Sequence, residues 1–195
     1  MNFPLDLRFK ILAIASQIAV TDAQGQLVYY VKQKAFKLKE AVTVFGDEGQ
    51  TRPLYKIAAD RILDISARYR IEDMGGAELA ILQRRGMKSL WKAHYEIHQG
   101  GRETLLIREE NGWIKVLDAI VGGIPIVGIF AGYMFNPAYL VSRGEEQPAL
   151  LRVAKQPAMF EGKFRIDAHA LSPGDPVDAA VLGVLMMLLL ERARG

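Results

Sequence analysis

Two histidines and a glutamate stand close together in the stretch from Trp91 to His98. If this stretch is a strand, His94, Glu96 and His98 share its outward face, because successive side chains point to opposite sides. Imidazole and carboxylate groups bind zinc, but a site needs three or four ligands, and Glu96 is the only carboxylate near the two histidines. We therefore interpret these residues as surface residues of a strand and expect no metal site.

The familiar catalytic motifs do not occur in this sequence. It contains no GxSxG nucleophile elbow, no P-loop, no dinucleotide-binding glycine motif and no HExxH helix. Because there is no cysteine, a thiolate nucleophile, a disulfide framework and a cysteine-ligated zinc are all excluded. The segments Asp22–Gly25 and Gly46–Gly49 lack the alternating acidic ligands of a calcium loop, so they are interpreted as turns. We expect no catalytic residues, no cofactor and no enzymatic activity.

Basic side chains are mildly concentrated in two places that could contact phosphate groups. The candidate lipid-binding residues are Lys32, Lys34, Lys37, Lys39, Arg84 and Arg85. Lysine can bind phosphate as a point charge, and each basic residue near an anionic membrane surface contributes about 1 kcal/mol. Solvated lysines also protect strand edges, so a purely structural role is the alternative.

The segment from Trp113 to Arg143 is the most apolar part of the sequence outside the C-terminus. It carries no formal charge between Asp118 and Arg143. Its length could span a bilayer, but Gly122–Gly123 and Pro125 interrupt a continuous helix. The candidate membrane or partner contacts are Trp113, Ile124, Phe130, Tyr133 and Phe135. Three interpretations remain open: a cap on the folded domain, a membrane-dipping hairpin, and an oligomer contact through which the chain self-associates.

The composition is that of an ordinary globular domain with a mild basic bias. Of 195 residues, 50% are hydrophobic and 24% are charged, with a net charge of +3. This excess is too small and too dispersed for nucleic-acid binding. We expect one domain over residues 1–195, located in the cytoplasm or peripheral to a membrane. Asp6 lies in what would be the basic region of a signal peptide, and Gln17 interrupts the short apolar stretch Ile11–Val20, so the N-terminus predicts a first strand rather than a signal peptide.

Several segments alternate between apolar and polar residues with a period of two. The clearest lie at Asp64–Ile71, Trp91–His98 and Phe160–Asp167, and in the second the predicted inward residues include Tyr95 and Ile97. Glycine-containing turns separate such segments at hairpin spacing. The pattern predicts an antiparallel sandwich or barrel, in which each strand has one buried and one wet face.

The C-terminal segment differs because it is apolar without interruption from Ala179 to Leu190. Asp175 can act as the N-cap and Pro176 suits the first helical position, so we predict a helix over about 176–192. A helix that is apolar all round must be buried all round, and enclosing it needs a barrel of ten to twelve strands. The alternative is a helix packed on one side of a β-sandwich.

Several of these segments resemble the tubby C-terminal-like superfamily, particularly its LURP-one-related and phospholipid scramblase branches. The resemblance is carried by Ile18–Asp22 leading into Gly25, Val28–Lys34, Phe36–Lys39, Gly46–Gly49, Leu54–Ile57 and Asp178–Arg192. It implies a mainly β fold, a closed antiparallel barrel of about twelve strands that encloses a hydrophobic C-terminal helix. Tubby-type members bind phosphoinositides and scramblase-like members are tied to membranes, but we transfer none of their site residues to this chain.

Two hypotheses about function follow from these observations. The first is a non-enzymatic barrel that binds anionic phospholipid at a membrane surface, with no nucleic acid and no cofactor. The alternative is a soluble protein-interaction or self-associating scaffold that uses the apolar segment 113–143.

Overall fold

The structure is a computed structural model, and it describes most of the chain. The described residues are 1–12, 15–34, 41–60, 68–84, 94–101, 103–110, 138–157 and 162–192. Twelve strands lie in these ranges, each bounded by turns or by residues outside them. They are β1 (Leu5–Leu12), β2 (Ala15–Thr21), β3 (Leu27–Lys34), β4 (Val42–Phe45), β5 (Pro53–Ala59), β6 (Arg68–Asp73), β7 (Glu78–Arg84), β8 (His94–His98), β9 (Leu105–Glu109), β10 (Ala138–Ser142), β11 (Ala149–Gln156) and β12 (Gly162–Ala168).

Each strand pairs antiparallel with its neighbours in the sequence, and β1 also pairs with β12. This last pairing closes the sheet into a twelve-stranded barrel. Inward and outward side chains alternate as the sequence predicts: Leu7 and Phe9 of β1 are buried, whereas Arg8 and Lys10 are exposed. Tyr95 and Ile97 of β8, two of the predicted inward residues, are also buried.

The helix α1 (Val177–Arg192) runs through the barrel. Every residue from Ala179 to Leu190 is buried, which explains why no side of this helix is polar. A helix packed on one side of a sandwich would expose its far side, so that alternative is wrong. The prediction of a closed barrel around the C-terminal helix is confirmed.

Polar contacts hold both ends of α1. We call the end where β1 begins the lower mouth and the opposite end the upper mouth. At the lower mouth the Tyr29 hydroxyl donates a hydrogen bond to Asp178. Burial and this carboxylate together raise the pKa of Tyr29. At the upper mouth the Tyr95 hydroxyl donates to Glu191 Oε1 over 2.5 Å, and the Arg192 guanidinium lies 5.4 Å from the centre of the Phe9 ring.

The prediction that Asp175 caps the helix is wrong. Its carboxylate accepts a hydrogen bond from the Ser172 N–H over 2.7 Å and pairs with Arg143, which follows β10. The first helical hydrogen bond runs from the Ala180 N–H to the Pro176 carbonyl over 3.0 Å. Arg143, which is distant in sequence and is brought close by the fold, therefore pairs with the Asp175 carboxylate that the local sequence suggests as a helix cap.

Candidate functional site

Four neighbouring strands, β12, β1, β2 and β3, turn a row of basic side chains outwards. In the register of the sheet Lys163 lies beside Arg8. Lys10 lies beside Gln17, which lies beside Lys32. We call the outer surface of these four strands the basic wall. Closure of the barrel brings its residues together, because β12 and β1 are at opposite ends of the chain.

Only some cations of the basic wall are neutralised by neighbouring carboxylates. Lys163 Nζ lies 3.9 Å from Asp6 Oδ2. The residues Arg8, Lys10 and Lys32 are exposed and form no ion pair with any other residue that the structure describes.

Arg70 on β6 shows a different arrangement elsewhere on the barrel. Its guanidinium nitrogens lie 3.2, 3.6 and 3.3 Å from carboxylate oxygens of Asp60, Glu72 and Glu78. Those carboxylates offset its charge locally. Arg8, Lys10 and Lys32 of the basic wall have no such carboxylate partner among the described residues, so their charge is available to an external anion.

A groove of about 320 Å³ lies on the basic wall. Its lining includes Arg8, Lys10, Gln17, Ala19, Tyr30 and Glu48. It exists because the short side chain of Ala19 lies between the much longer Arg8 and Tyr30 on the two adjacent strands. Tyr30 is only 7% exposed, and burial, reinforced by the Glu48 carboxylate, raises the pKa of its hydroxyl.

The six candidate lipid-binding residues of the sequence do not all meet on this surface. Lys32 lies on the basic wall, and Lys34 is the last residue of β3. Arg84 ends β7, four strands further around the barrel than β3, and pairs in register with inward-facing Tyr95. It therefore belongs to the upper mouth and not to the basic wall. The remaining three candidates are Lys37, Lys39 and Arg85, and they lie outside the described residues.

The candidate contacts of the apolar segment also lie outside the described residues. These are Trp113, Ile124, Phe130, Tyr133 and Phe135. The last part of the segment, β10, is a strand of the barrel wall between β9 and β11. Within the ranges that the structure covers, no helix combines the length and apolar character needed to cross a bilayer.

The two histidines of β8 are too far apart to share a metal ion. His94 and His98 are four residue steps apart along the strand, which corresponds to about 13 Å. His98 instead lies with its Nε2 atom 3.2 Å from Glu96 Oε2 and its Nδ1 atom 3.1 Å from the Thr104 hydroxyl. No group of three or more metal-binding side chains occurs among the residues covered by the structure.

Sequence reasoning missed Arg8, Lys10 and Glu48 as members of a site. Arg8 and Lys10 alternate with buried Leu7 and Phe9, and this period-two pattern was a signal that they face outwards. No local pattern indicates which distant residues stand beside them, because that depends on the register of the closed barrel.

Comparison with known proteins supports the assignment of the fold. The model of the LURP-one-related family matches residues 27–123, which run from β3 past β9. Comparisons with curated proteins and with solved structures gave no match. The family is one of non-catalytic, tubby-like barrels, and the barrel closed around α1 agrees with the fold of that family. This chain therefore belongs to the LURP-one-related family, within the tubby C-terminal-like superfamily.

Proposed function

We propose that this chain is a non-enzymatic barrel protein that binds anionic phospholipid at a membrane surface through the basic wall. The observation that carries the proposal is the set of three exposed cations, Arg8, Lys10 and Lys32, which have no ion pair among the described residues. Phospholipid headgroups supply phosphate at high density on a surface, and the cations of the basic wall can contact several headgroups at once.

Electrostatics sets the expected strength of this binding. Each lysine or arginine near an anionic membrane contributes about 1 kcal/mol. The three unpaired cations together contribute about 3 kcal/mol, which corresponds to roughly 150-fold in affinity. Such binding is weak and reversible, and it is screened by salt because the charges are exposed to solvent.

Co-sedimentation with vesicles tests the proposal. The protein should bind phosphatidylcholine vesicles that contain phosphatidylglycerol, should not bind pure phosphatidylcholine vesicles, and should dissociate as salt is added. The combined variant Arg8→Gln, Lys10→Gln, Lys32→Gln should lose about two orders of magnitude in affinity. All three positions are exposed, so the variant should retain its thermal stability.

A matched control separates the basic wall from net charge. The variant Lys56→Gln, Arg68→Gln, Arg70→Gln removes the same charge from β5 and β6, where Arg70 is already paired with carboxylates. It should bind vesicles nearly as well as the natural protein. If both triple variants lose binding equally, or if binding ignores lipid charge and salt, the basic wall is not the membrane-binding surface.

A further inference from the structure

The groove on the basic wall carries opposite charges on its two sides. Arg8 and Lys10 lie on β1, on one side of Ala19. Tyr30 and the exposed carboxylate of Glu48, in the turn between β4 and β5, lie on the other side. Across the two strand spacings that separate β1 from β3 the backbones are about 10 Å apart. The groove is therefore suited to a small ligand that carries both signs of charge.

The polar groups of the groove are available to such a ligand. Neither Arg8 nor Lys10 is paired with a carboxylate of the described chain. Tyr30 is 7% exposed as a residue, and it forms one side of the groove. Within the described chain its hydroxyl has no hydrogen-bond partner, so it can donate to a phosphate or carboxylate oxygen. Ala19 provides an apolar floor that leaves the space open.

We infer that this groove is a binding site for the phosphoserine headgroup of a phosphatidylserine-type lipid. This inference rests on the proposed function and names the headgroup that the basic wall selects. The phosphate and the carboxylate of the headgroup pair with Arg8 and Lys10, and its ammonium group pairs with Glu48. Two cations and one carboxylate in the site complement two anions and one cation in the headgroup, so every charge has a partner.

The same pairing explains which headgroups bind less well. Phosphatidylglycerol has the same net charge but no ammonium group, so Glu48 is left without a cation. Phosphatidylcholine has a quaternary ammonium that cannot donate a hydrogen bond, and it lacks the second anion. A headgroup with several phosphates places negative charge beside Glu48, which is unfavourable. Selectivity therefore depends on Glu48, whereas attraction to any anionic surface depends on the cations.

Vesicles of equal surface charge test this inference. Phosphatidylcholine vesicles that contain phosphatidylserine or phosphatidylglycerol at the same mole fraction are compared by co-sedimentation. The natural protein should bind the phosphatidylserine vesicles roughly two- to fivefold more tightly, the factor expected for one partly exposed charge pair. Glu48→Gln should abolish this preference while preserving, or increasing, binding to phosphatidylglycerol.

Two further variants distinguish the groove from the surrounding surface. Ala19→Leu fills the groove without changing any charge, and it lies on the outer face, where a larger side chain does not disturb the core. It should abolish the preference for phosphatidylserine. Lys32→Gln lies outside the groove lining and should weaken binding to both vesicles equally, so that the preference is retained.

Each remaining outcome has a definite meaning. Equal binding of the natural protein to both vesicles overturns the inference and leaves the proposed function intact. A preference that persists in both Glu48→Gln and Ala19→Leu also overturns it, because selection then occurs elsewhere. Binding to neither vesicle overturns the proposed function together with this inference.

Discussion

Gly183 is the glycine of α1, and the barrel wall lies very close to it. A Cβ atom added there would lie 2.5 Å from Ile97 Cδ1, 3.0 Å from Ile97 Cγ1 and 3.7 Å from Leu82 Cδ1. Ordinary contacts between carbon atoms are about 3.5–4.0 Å. The substitution Gly183→Ala therefore forces Ile97 to move, and Ile97 is fully buried at 0% exposure.

Two effects of opposite sign determine how Gly183→Ala changes the free energy of unfolding. Alanine favours the helix over glycine by about 1 kcal/mol. Inserting a methyl group into a packed core costs about 1–3 kcal/mol. We expect the packing cost to exceed the gain in helix propensity, because the buried Ile97 side chain cannot move into solvent. The variant should therefore be destabilised by about 1 kcal/mol.

A double-mutant cycle isolates this contact. Ile97→Val removes the Cδ1 atom and by itself costs about 1 kcal/mol. In the Gly183→Ala background it should cost little or restore stability, because it removes the atom closest to the new methyl group. Urea unfolding of the four proteins should therefore give a coupling free energy of at least about 1 kcal/mol.

The control uses the opposite side of the barrel. Ile18→Val on β2 also removes a buried methyl group, but β2 and β8 face each other across the helix. Combined with Gly183→Ala it should be additive within about 0.5 kcal/mol. If Ile97→Val is equally additive, the close approach of α1 to β8 at Gly183 is refuted.

Two further predictions concern the core and its tyrosines. Leu185 is 0% exposed, so Leu185→Asp should prevent folding, because a charge in this core has no partner. Leu185→Met is the control and should fold. A soluble, native-like Leu185→Asp variant would contradict the enclosed helix. Burial and nearby carboxylates raise the pKa of Tyr139 to about 12, and that of Tyr29 is raised as well, by burial and Asp178. The folded protein thus holds the hydroxyl protons of Tyr29 and Tyr139 more tightly than the unfolded chain does. The contribution of these two protonated hydroxyls to the free energy of unfolding is therefore complete below pH about 10, the pKa of an unperturbed tyrosine, and it falls as the pH rises above that value. Urea unfolding between pH 8 and 12 should show this loss, and Tyr139→Phe should reduce it; a free energy of unfolding that stays constant over this range would argue against both shifts.

The sequence alone determined the architecture of the barrel to a large extent. Local periodicity carries this information, since alternation at Tyr95 and Ile97 reports one buried face of a strand. The uninterrupted apolar run from Ala179 to Leu190 requires that the helix be enclosed, because solvent on any side would meet leucine or methionine. These constraints depend only on which faces are apolar, and the structure confirms them.

The tertiary structure alone decided which polar residues meet. Asp175 was a reasonable local cap, but its carboxylate pairs with Arg143 from a distant strand end. Lys32 was recognisable as a basic strand residue, yet its partners on the basic wall come from β1 and β12. Period-two patterns specify which way a side chain points and leave the register between strands open. Closure of the barrel sets that register, and with it the groove in which Arg8 and Glu48 lie on opposite sides of Ala19.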